Sequence, residues 1–106
     1  MTRTTRAIIA AGSLALPLLL GALPAQAQDQ ARYLAATCAN CHGTDGRSAG
    51  GGGMPGLAGL SRTYMIEQMN AFRSGARQAT IMHQLAKGYT DEQIAQMADF
   101  FSQQKK

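Results

Sequence analysis

The sequence predicts a small domain that consists only of α-helices. Downstream of residue 28, three segments carry apolar residues at helical spacing, and a polar residue that can cap a helix stands before each of them. No segment alternates apolar and polar residues as a half-buried strand would. Residues 43–56 include the run Gly50 to Gly53, and these glycines leave the backbone too many accessible conformations for a helix or a strand. We therefore expect a loop that wraps the domain rather than packs within it.

The segment before this domain has the features of a secretory signal peptide. Two arginines precede an apolar run of alanine and leucine that extends to Leu23, and residues 25–27 (Ala-Gln-Ala) form the small-x-small pattern of a cleavage site. We therefore expect a signal peptide over residues 1–27, cleavage before Gln28, and a periplasmic domain over residues 28–106 without stable membrane insertion. An uncleaved membrane anchor is the alternative, but it needs about 20 apolar residues and usually lacks a cleavage site.

The charge of the mature domain excludes nucleic acid as a partner. The chain has ten Lys and Arg against six Asp and Glu, and cleavage would remove two of the ten. The remaining basic residues are scattered, apart from Lys105 and Lys106, so no patch resembles a nucleic-acid-binding surface.

The domain is also small and has no Trp, so a buried prosthetic group would add apolar contact that the chain itself cannot supply.

The first two helices have recognisable ends. The first is expected to begin with Asp29 as its N-cap and to extend through Ala39. Its apolar side consists of Ala31, Leu34, Ala35 and Cys38. The second begins after the N-cap Ser61 and ends near Ser74, because Gly75 can adopt the left-handed conformation that stops a helix. Its apolar stripe consists of Tyr64, Met65, Met69 and Phe72.

Two further helical segments complete the domain. A short one is expected over residues 80–87 and ends at Gly88. Residues 90–93 (Thr-Asp-Glu-Gln) form a capping box for the last helix. The face of that helix that we expect to be buried consists of Ile94, Met97, Ala98 and Phe101.

The motif Cys38-Ala39-Asn40-Cys41-His42 carries the chemistry. It places two thiols one helical turn apart, so that both can form thioethers with the two vinyl groups of one haem, and the adjacent imidazole then lies under the iron. The export signal agrees with this interpretation, because c-type haem is attached outside the cytoplasm. We therefore expect one covalent haem c, attached at Cys38 and Cys41, with His42 as an axial iron ligand.

Two other chemistries use the same residues. A thioredoxin-like redox pair or a simple disulfide would use the two cysteines, but a redox pair needs a preceding strand and a βαβ context, which the sequence does not predict. A zinc site formed by Cys38, Cys41, His42 and His83 has enough ligands. However, the adjacent Cys41 and His42 suit a tetrahedral ion poorly, and the apolar stripes would stay unfilled.

The second axial ligand decides whether the iron transfers electrons or binds small molecules. A Met thioether favours reduced iron and raises the potential. Three Met residues lie in the apolar stripes and are interpreted as flexible core residues, namely Met65, Met69 and Met97. Met54 follows His42 too closely to cross to the opposite haem face. Met82 therefore remains as the predicted ligand, with His83 as its rival, because neighbours on a helix point about 100° apart and only one can face the iron.

The axial imidazole also needs an acceptor for its other N–H group, which orients the ring. The carbonyl group of Pro55, at the end of the glycine-rich loop, is one candidate. An ordinary turn residue is an equal interpretation of this proline.

Several segments resemble the small class I cytochromes c. They are the motif Cys38 to Gly43, the segment Gly53 to Leu60 and the segment Gln68 to Arg77. More narrowly, residues 79–82 (Ala-Thr-Ile-Met) and 86–94 (Ala-Lys-Gly-Tyr-Thr-Asp-Glu-Gln-Ile) resemble the cytochrome subunit of flavocytochrome c sulfide dehydrogenase. The likeness covers nearly the whole mature chain.

The resemblance implies a fold and a set of site residues. The fold is the class I cytochrome c fold, with three to four helices around the haem and the first and last helices crossing beside it. The site has thioethers at Cys38 and Cys41, axial ligands His42 and Met82, and a hydrogen bond from His42 to the Pro55 carbonyl group.

The resemblance also implies a function in electron transfer. We expect that a separate FAD-containing sulfide dehydrogenase subunit oxidises sulfide and passes electrons to this haem, which hands them to a downstream electron acceptor. On this interpretation the chain has no catalytic residue and is an electron-transfer protein rather than an enzyme. The alternative is a free-diffusing monohaem cytochrome that carries electrons between respiratory complexes. A gas-binding or peroxidatic haem is a third hypothesis, and it requires an open sixth position in place of Met82.

Overall fold

A computed structural model of the protein, which describes residues 23–50 and 53–106, contains helices and loops and, within these ranges, no strand. The elements in chain order are α1 (Leu23–Ala36), α2 (Ala39–His42), a 3-10 turn (Thr44–Gly46), α3 (Arg62–Ser74), α4 (Met82–Leu85), a second 3-10 turn (Ala86–Gly88) and α5 (Asp91–Ser102). The all-α prediction is confirmed. Three helices are long, whereas α2 and α4 are single turns.

The start of α1 differs from the prediction. Asp29 lies inside this helix rather than capping it, because the preceding segment is helical from Leu23 onward. Pro24 lies in the first turn, where a proline is tolerated, and the alanines and glutamines that follow favour helix. The junction of residues 27 and 28, at which we predict cleavage, therefore lies within α1, and residues 1–22 of the predicted signal peptide fall outside the described part of the chain.

The end of α1 also differs from the prediction. The helix stops at Ala36 and not at Ala39, because a turn at Thr37 and Cys38 separates it from α2. The motif residues are thus divided between a turn and a second short helix. Within the described ranges, no helix has the length and apolar character that spanning a membrane requires.

α3 has the bounds that the sequence predicted. The Ser61 Oγ atom accepts a hydrogen bond from the backbone N–H of Tyr64 at 3.2 Å, which caps the helix. Gly75 follows the last turn with φ 82°, a left-handed conformation that favours glycine. The predicted apolar stripe is correct for the buried Met65 but wrong for Tyr64, which is 44% exposed.

α5 confirms its predicted cap and its predicted buried face. The Thr90 Oγ1 atom accepts from the backbone N–H of Gln93 at 3.2 Å, and the Gln93 Oε1 atom accepts from the backbone N–H of Thr90 at 2.9 Å. All four residues of the predicted face are buried, namely Ile94, Met97, Ala98 and Phe101. The short segment that we expected before α5 corresponds to α4 and the 3-10 turn that continues it.

The core lies where α1 and α3 both pack on α5. Ala35 of α1 and Met65 of α3 join the four buried residues of α5 in one apolar cluster. Each long helix is therefore held by the burial of one face rather than by helix propensity alone. Because α1 packs on α5, the cysteine motif that follows α1 lies at one end of this core.

The start of the glycine-rich loop packs more closely than the sequence predicted. Gly46 is buried, and a Cβ atom at this position would lie 2.8 Å from Phe101 Cδ1 and 2.9 Å from the backbone nitrogen of Ala58. Its φ of 77° also favours glycine. The expectation that this whole stretch does not pack was therefore wrong at Gly46, since tertiary contact with α5 selects the glycine there.

Candidate haem site

The cysteine motif forms a compact turn at the end of α1. The backbone N–H groups of Cys41 and His42 both donate to the carbonyl oxygen of Cys38, at 3.3 and 2.9 Å. This helical turn brings the two thiols to the same side, as i and i+3 residues are. Cys38 is half-buried and Cys41 is exposed, and the two sulfurs are not joined to each other.

His42 is buried, and its ring is held by one hydrogen bond. The side chain is 8% exposed, and its Nδ1 atom lies 2.7 Å from the carbonyl oxygen of Pro55. A proline carbonyl group can only accept, so Nδ1 carries the proton and donates it. The lone pair of a neutral imidazole then lies on Nε2, which is the atom that a metal ion binds.

The backbone of the Pro55 loop is itself fixed by three hydrogen bonds. The carbonyl oxygen of Gly46 accepts from the backbone N–H groups of Leu57 and Ala58, at 2.8 and 3.1 Å. Ser48 Oγ donates to the carbonyl oxygen of Met54 at 2.7 Å, directly before Pro55. Gly46 and Ser48 carry no local sequence signal of this supporting role, because each acts through a partner that only the folded loop brings near.

Met82 is the first residue of α4 and is half-buried. The other Met residues are placed differently. Met65 and Met97 are buried in the core at 6% and 4% exposure, Met69 packs against it, and Met54 is 42% exposed in the glycine-rich loop. Of the Met residues in the described ranges, Met82 is the one in a short helix outside this core.

The neighbouring His83 has an unusual environment. Its Nδ1 atom is buried and has no hydrogen-bond partner among the described residues. A buried nitrogen without a partner costs free energy, so a group that enters this region and offers a polar atom would be favoured there. The structure thus leaves His83 as a second nitrogen donor beside Met82.

The environment of the cysteines argues against the two alternative chemistries. Burial raises the pKa of the Cys38 thiol, a hydrogen bond with Thr37 lowers it, and the charge of Cys41 adds to the increase. The net increase favours the neutral thiol, whereas a thioredoxin-like redox pair relies on a thiolate. In the described ranges, no three side chains of His, Cys, Asp or Glu converge as a metal site, so the zinc ligand set Cys38, Cys41, His42 and His83 is not assembled.

Comparison with known sequences decides the family. A sequence model of the family described as Cytochrome c matches residues 27–105. This chain belongs to the cytochrome c family. As a member of it, the protein carries covalently bound haem c and transfers electrons. The residues of the motif fit that group: two unpaired thiols lie one turn apart, and a buried imidazole presents Nε2 beside them.

Individual relatives include the cytochrome subunit of an enzyme and a separately named cytochrome. The chain is 38% identical, over 74 residues, to the cytochrome subunit of sulfide dehydrogenase from Chlorobaculum tepidum, which covers 70% of this chain and 66% of that subunit. It is 40% identical, over 72 residues, to cytochrome c-554(548) from Halomonas halodenitrificans, which covers 65% of this chain and 86% of that cytochrome.

A solved structure also matches the fold of this cytochrome. The cytochrome c4 of Acidithiobacillus ferrooxidans superimposes with a TM-score of 0.63 at 33% identity, over 72% of this chain and 48% of that one. The chain thus spans just under two thirds of the sulfide dehydrogenase subunit and about half of the cytochrome c4 chain. The expected class I cytochrome c fold is confirmed.

Proposed function

We propose that this cytochrome is a periplasmic electron-transfer subunit that accepts electrons from an FAD-containing sulfide dehydrogenase and passes them to a downstream acceptor. The haem would be joined to Cys38 and Cys41 by thioethers, and His42 and Met82 would bind its iron. One observation carries the haem site: the hydrogen bond from His42 Nδ1 to Pro55 leaves Nε2 of a buried imidazole to bind iron, in the same turn as two unpaired thiols.

The residues of the chain hold and tune the haem, which supplies the one-electron chemistry. Donation from Nδ1 to a carbonyl oxygen fixes the ring orientation and increases the basicity of Nε2. A thioether from Met82 on the other side would raise the potential and close the sixth position to small molecules. The half-burial of Met82 and the core positions of Met65 and Met97 support this choice.

Two observations support this partner. The chain is similar to the cytochrome subunit of a sulfide dehydrogenase. Residues 28–106 carry eight basic against six acidic side chains, so the low net charge favours a lasting, partly apolar contact over purely electrostatic steering.

The proposal is tested on the holoprotein isolated under mild conditions from the periplasm. We expect flavin absorbance in the same fraction and rapid haem reduction when sulfide is added. After the flavoprotein has been removed, the same cytochrome is expected to be reduced only slowly by sulfide. A cytochrome that purifies without flavin and reacts slowly with sulfide would contradict this choice of partner.

The second candidate is a free-diffusing carrier between respiratory complexes. It is supported by the similarity to cytochrome c-554(548), most of whose length this chain covers. For this function we expect a monomeric holoprotein that is reduced by several donors at rates that fall as salt increases. Sulfide-specific reduction through a bound flavoprotein would reject this candidate.

A further inference from the structure

A chain of side-chain hydrogen bonds links the residue before Cys38 to the segment after Met82. The Tyr89 hydroxyl lies 2.7 Å from Thr37 Oγ1, and Thr37 Oγ1 donates to the carbonyl oxygen of Leu34 at 2.7 Å. A threonine hydroxyl has one proton, and the bond to Leu34 uses it, so Tyr89 donates to Thr37. Bonds in such a chain polarise one another, and their total strength exceeds that of isolated pairs.

The same tyrosine is held through its backbone by α3. Its carbonyl oxygen accepts from Arg73 Nη1 at 3.4 Å, and Nη2 of this arginine pairs with Asp91 Oδ1 at 2.5 Å, in the first turn of α5. Tyr89 is therefore linked to the end of α1 through Thr37 and to α3 through Arg73, and Arg73 in turn pairs with Asp91 at the start of α5. Tyr89 also packs against the apolar core.

Tyr89 closes the helical stretch that begins at Met82. α4 and the 3-10 turn run without interruption from Met82 to Gly88, and the backbone N–H of Tyr89 donates to Ala86 at 3.4 Å. Ala86 is completely buried, and both α4 and the 3-10 turn pack on α3, which holds the middle of this stretch. The hydroxyl bond to Thr37 fixes its far end to the turn that carries Cys38.

From this geometry we propose that Thr37 and Tyr89 form a clasp that holds the Met82 segment against the haem-attachment turn and so limits how often Met82 leaves the iron. Both are positioning residues, since neither is a ligand. The inference rests on the axial role of Met82 in the proposed function. Thr37 and Tyr89 thus have a role that is separate from haem attachment, because they control how long the bond between Met82 and the iron lasts.

The test measures how fast imidazole replaces Met82 in the oxidised holoprotein. At saturating imidazole the rate of loss of the far-red thioether band is set by the dissociation of Met82. Loss of one hydrogen bond corresponds to about a fivefold change, so we expect Thr37→Val and Tyr89→Phe each to accelerate displacement about fivefold. The double variant is expected to be no faster than Thr37→Val, because that change already removes the bond to Tyr89.

Two matched controls separate the clasp from a general loss of stability. Thr37→Ser keeps the hydroxyl and Tyr33→Phe removes one from an exposed tyrosine, and both are expected to behave as the wild type. A merely structural role would lower the urea midpoint of global unfolding and leave the displacement rate unchanged. If Tyr89→Phe fails to assemble with haem, the comparison of Thr37→Val with Thr37→Ser still decides, since Thr37 is exposed.

The possible failures can be distinguished. A wild-type protein without the thioether band contradicts the axial role of Met82, and with it the premise of the clasp. A wild-type protein that has the band, together with Thr37→Val and Tyr89→Phe rates equal to that of Tyr33→Phe, contradicts the clasp alone.

Discussion

The Nδ1 atom of His42 lies 2.7 Å from the carbonyl oxygen of Pro55, a residue 13 positions later in the chain. The contact joins the short helix of the cysteine motif to the end of the glycine-rich loop. Because Gly46 accepts two backbone hydrogen bonds from residues just after Pro55, the position of this carbonyl group depends on how Gly46 packs. The orientation of the axial ring is therefore coupled to the core contact between Gly46 and Phe101.

Gly46→Ala is expected to destabilise the holoprotein more than Gly75→Ala. Both glycines have positive φ, 77° and 82°, which costs an alanine about 1 kcal/mol. Only the alanine at position 46 would also meet Phe101 and the Ala58 backbone, whereas a Cβ at position 75 would have open space around it among the described residues. We expect a further loss of about 1–3 kcal/mol for Gly46→Ala, measured by urea unfolding. Equal losses would show that conformation alone selects glycine at position 46.

Met82→Ala is expected to open the sixth iron position. The reduced wild-type protein should bind no carbon monoxide at neutral pH, whereas the variant should bind it and show a lower reduction potential, because a thioether favours reduced iron. Met54→Ala is the matched control, since this side chain is 42% exposed in the loop. Carbon monoxide binding by the wild-type protein would favour the gas-binding or peroxidatic hypothesis.

Arg73→Ala is expected to cost more stability than Arg62→Ala. Arg62 pairs with Asp99 at 2.6 Å, with both side chains about half exposed, so its removal should cost about 0–1 kcal/mol and less at high salt. Removal of Arg73 breaks the pair with Asp91 and also leaves the Tyr89 carbonyl group without its donor. We expect about 1–2 kcal/mol for Arg73→Ala. Urea unfolding at low and high salt measures both, and equal, salt-sensitive losses would contradict a special role for Arg73.

The mature protein is expected to begin at Gln28. Intact mass of the periplasmic holoprotein would then equal residues 28–106 plus one haem. Ala27→Arg should block processing, since signal peptidase requires a small residue before the cut. Ala36→Arg, at an exposed alanine later in α1, is the control and should leave processing unchanged. A mass that includes residues 1–27 would favour the uncleaved anchor instead.

The parts of the fold that were predictable from sequence are those with local signals. Ser61 and Gly75 bracket α3, and the Thr90 capping box starts α5, because each signal acts within a few residues of the backbone group that it satisfies. The start of α1 was wrong because a capping residue such as Asp29 defines an end only if the chain before it is not helical.

The features that were not predictable from sequence depend on contacts between distant segments. Nothing near Gly46 indicates that Phe101 packs against it, and nothing near Thr37 indicates that Tyr89 reaches its hydroxyl group. For Pro55, the residues alone left two equal interpretations, whereas the resemblance to class I cytochromes c implied a hydrogen bond with His42. In the folded chain its carbonyl oxygen lies within hydrogen-bond distance of His42 Nδ1.

The most direct test of the ligand set is the proton NMR spectrum of the reduced holoprotein. A Met bound to haem iron lies over the ring, whose current moves its methyl resonance far upfield. We expect one such methyl resonance, which disappears in Met82→Ala and persists in Met54→Ala. A spectrum without it, or one in which it persists after Met82→Ala, would contradict the assignment of Met82 as the second axial ligand.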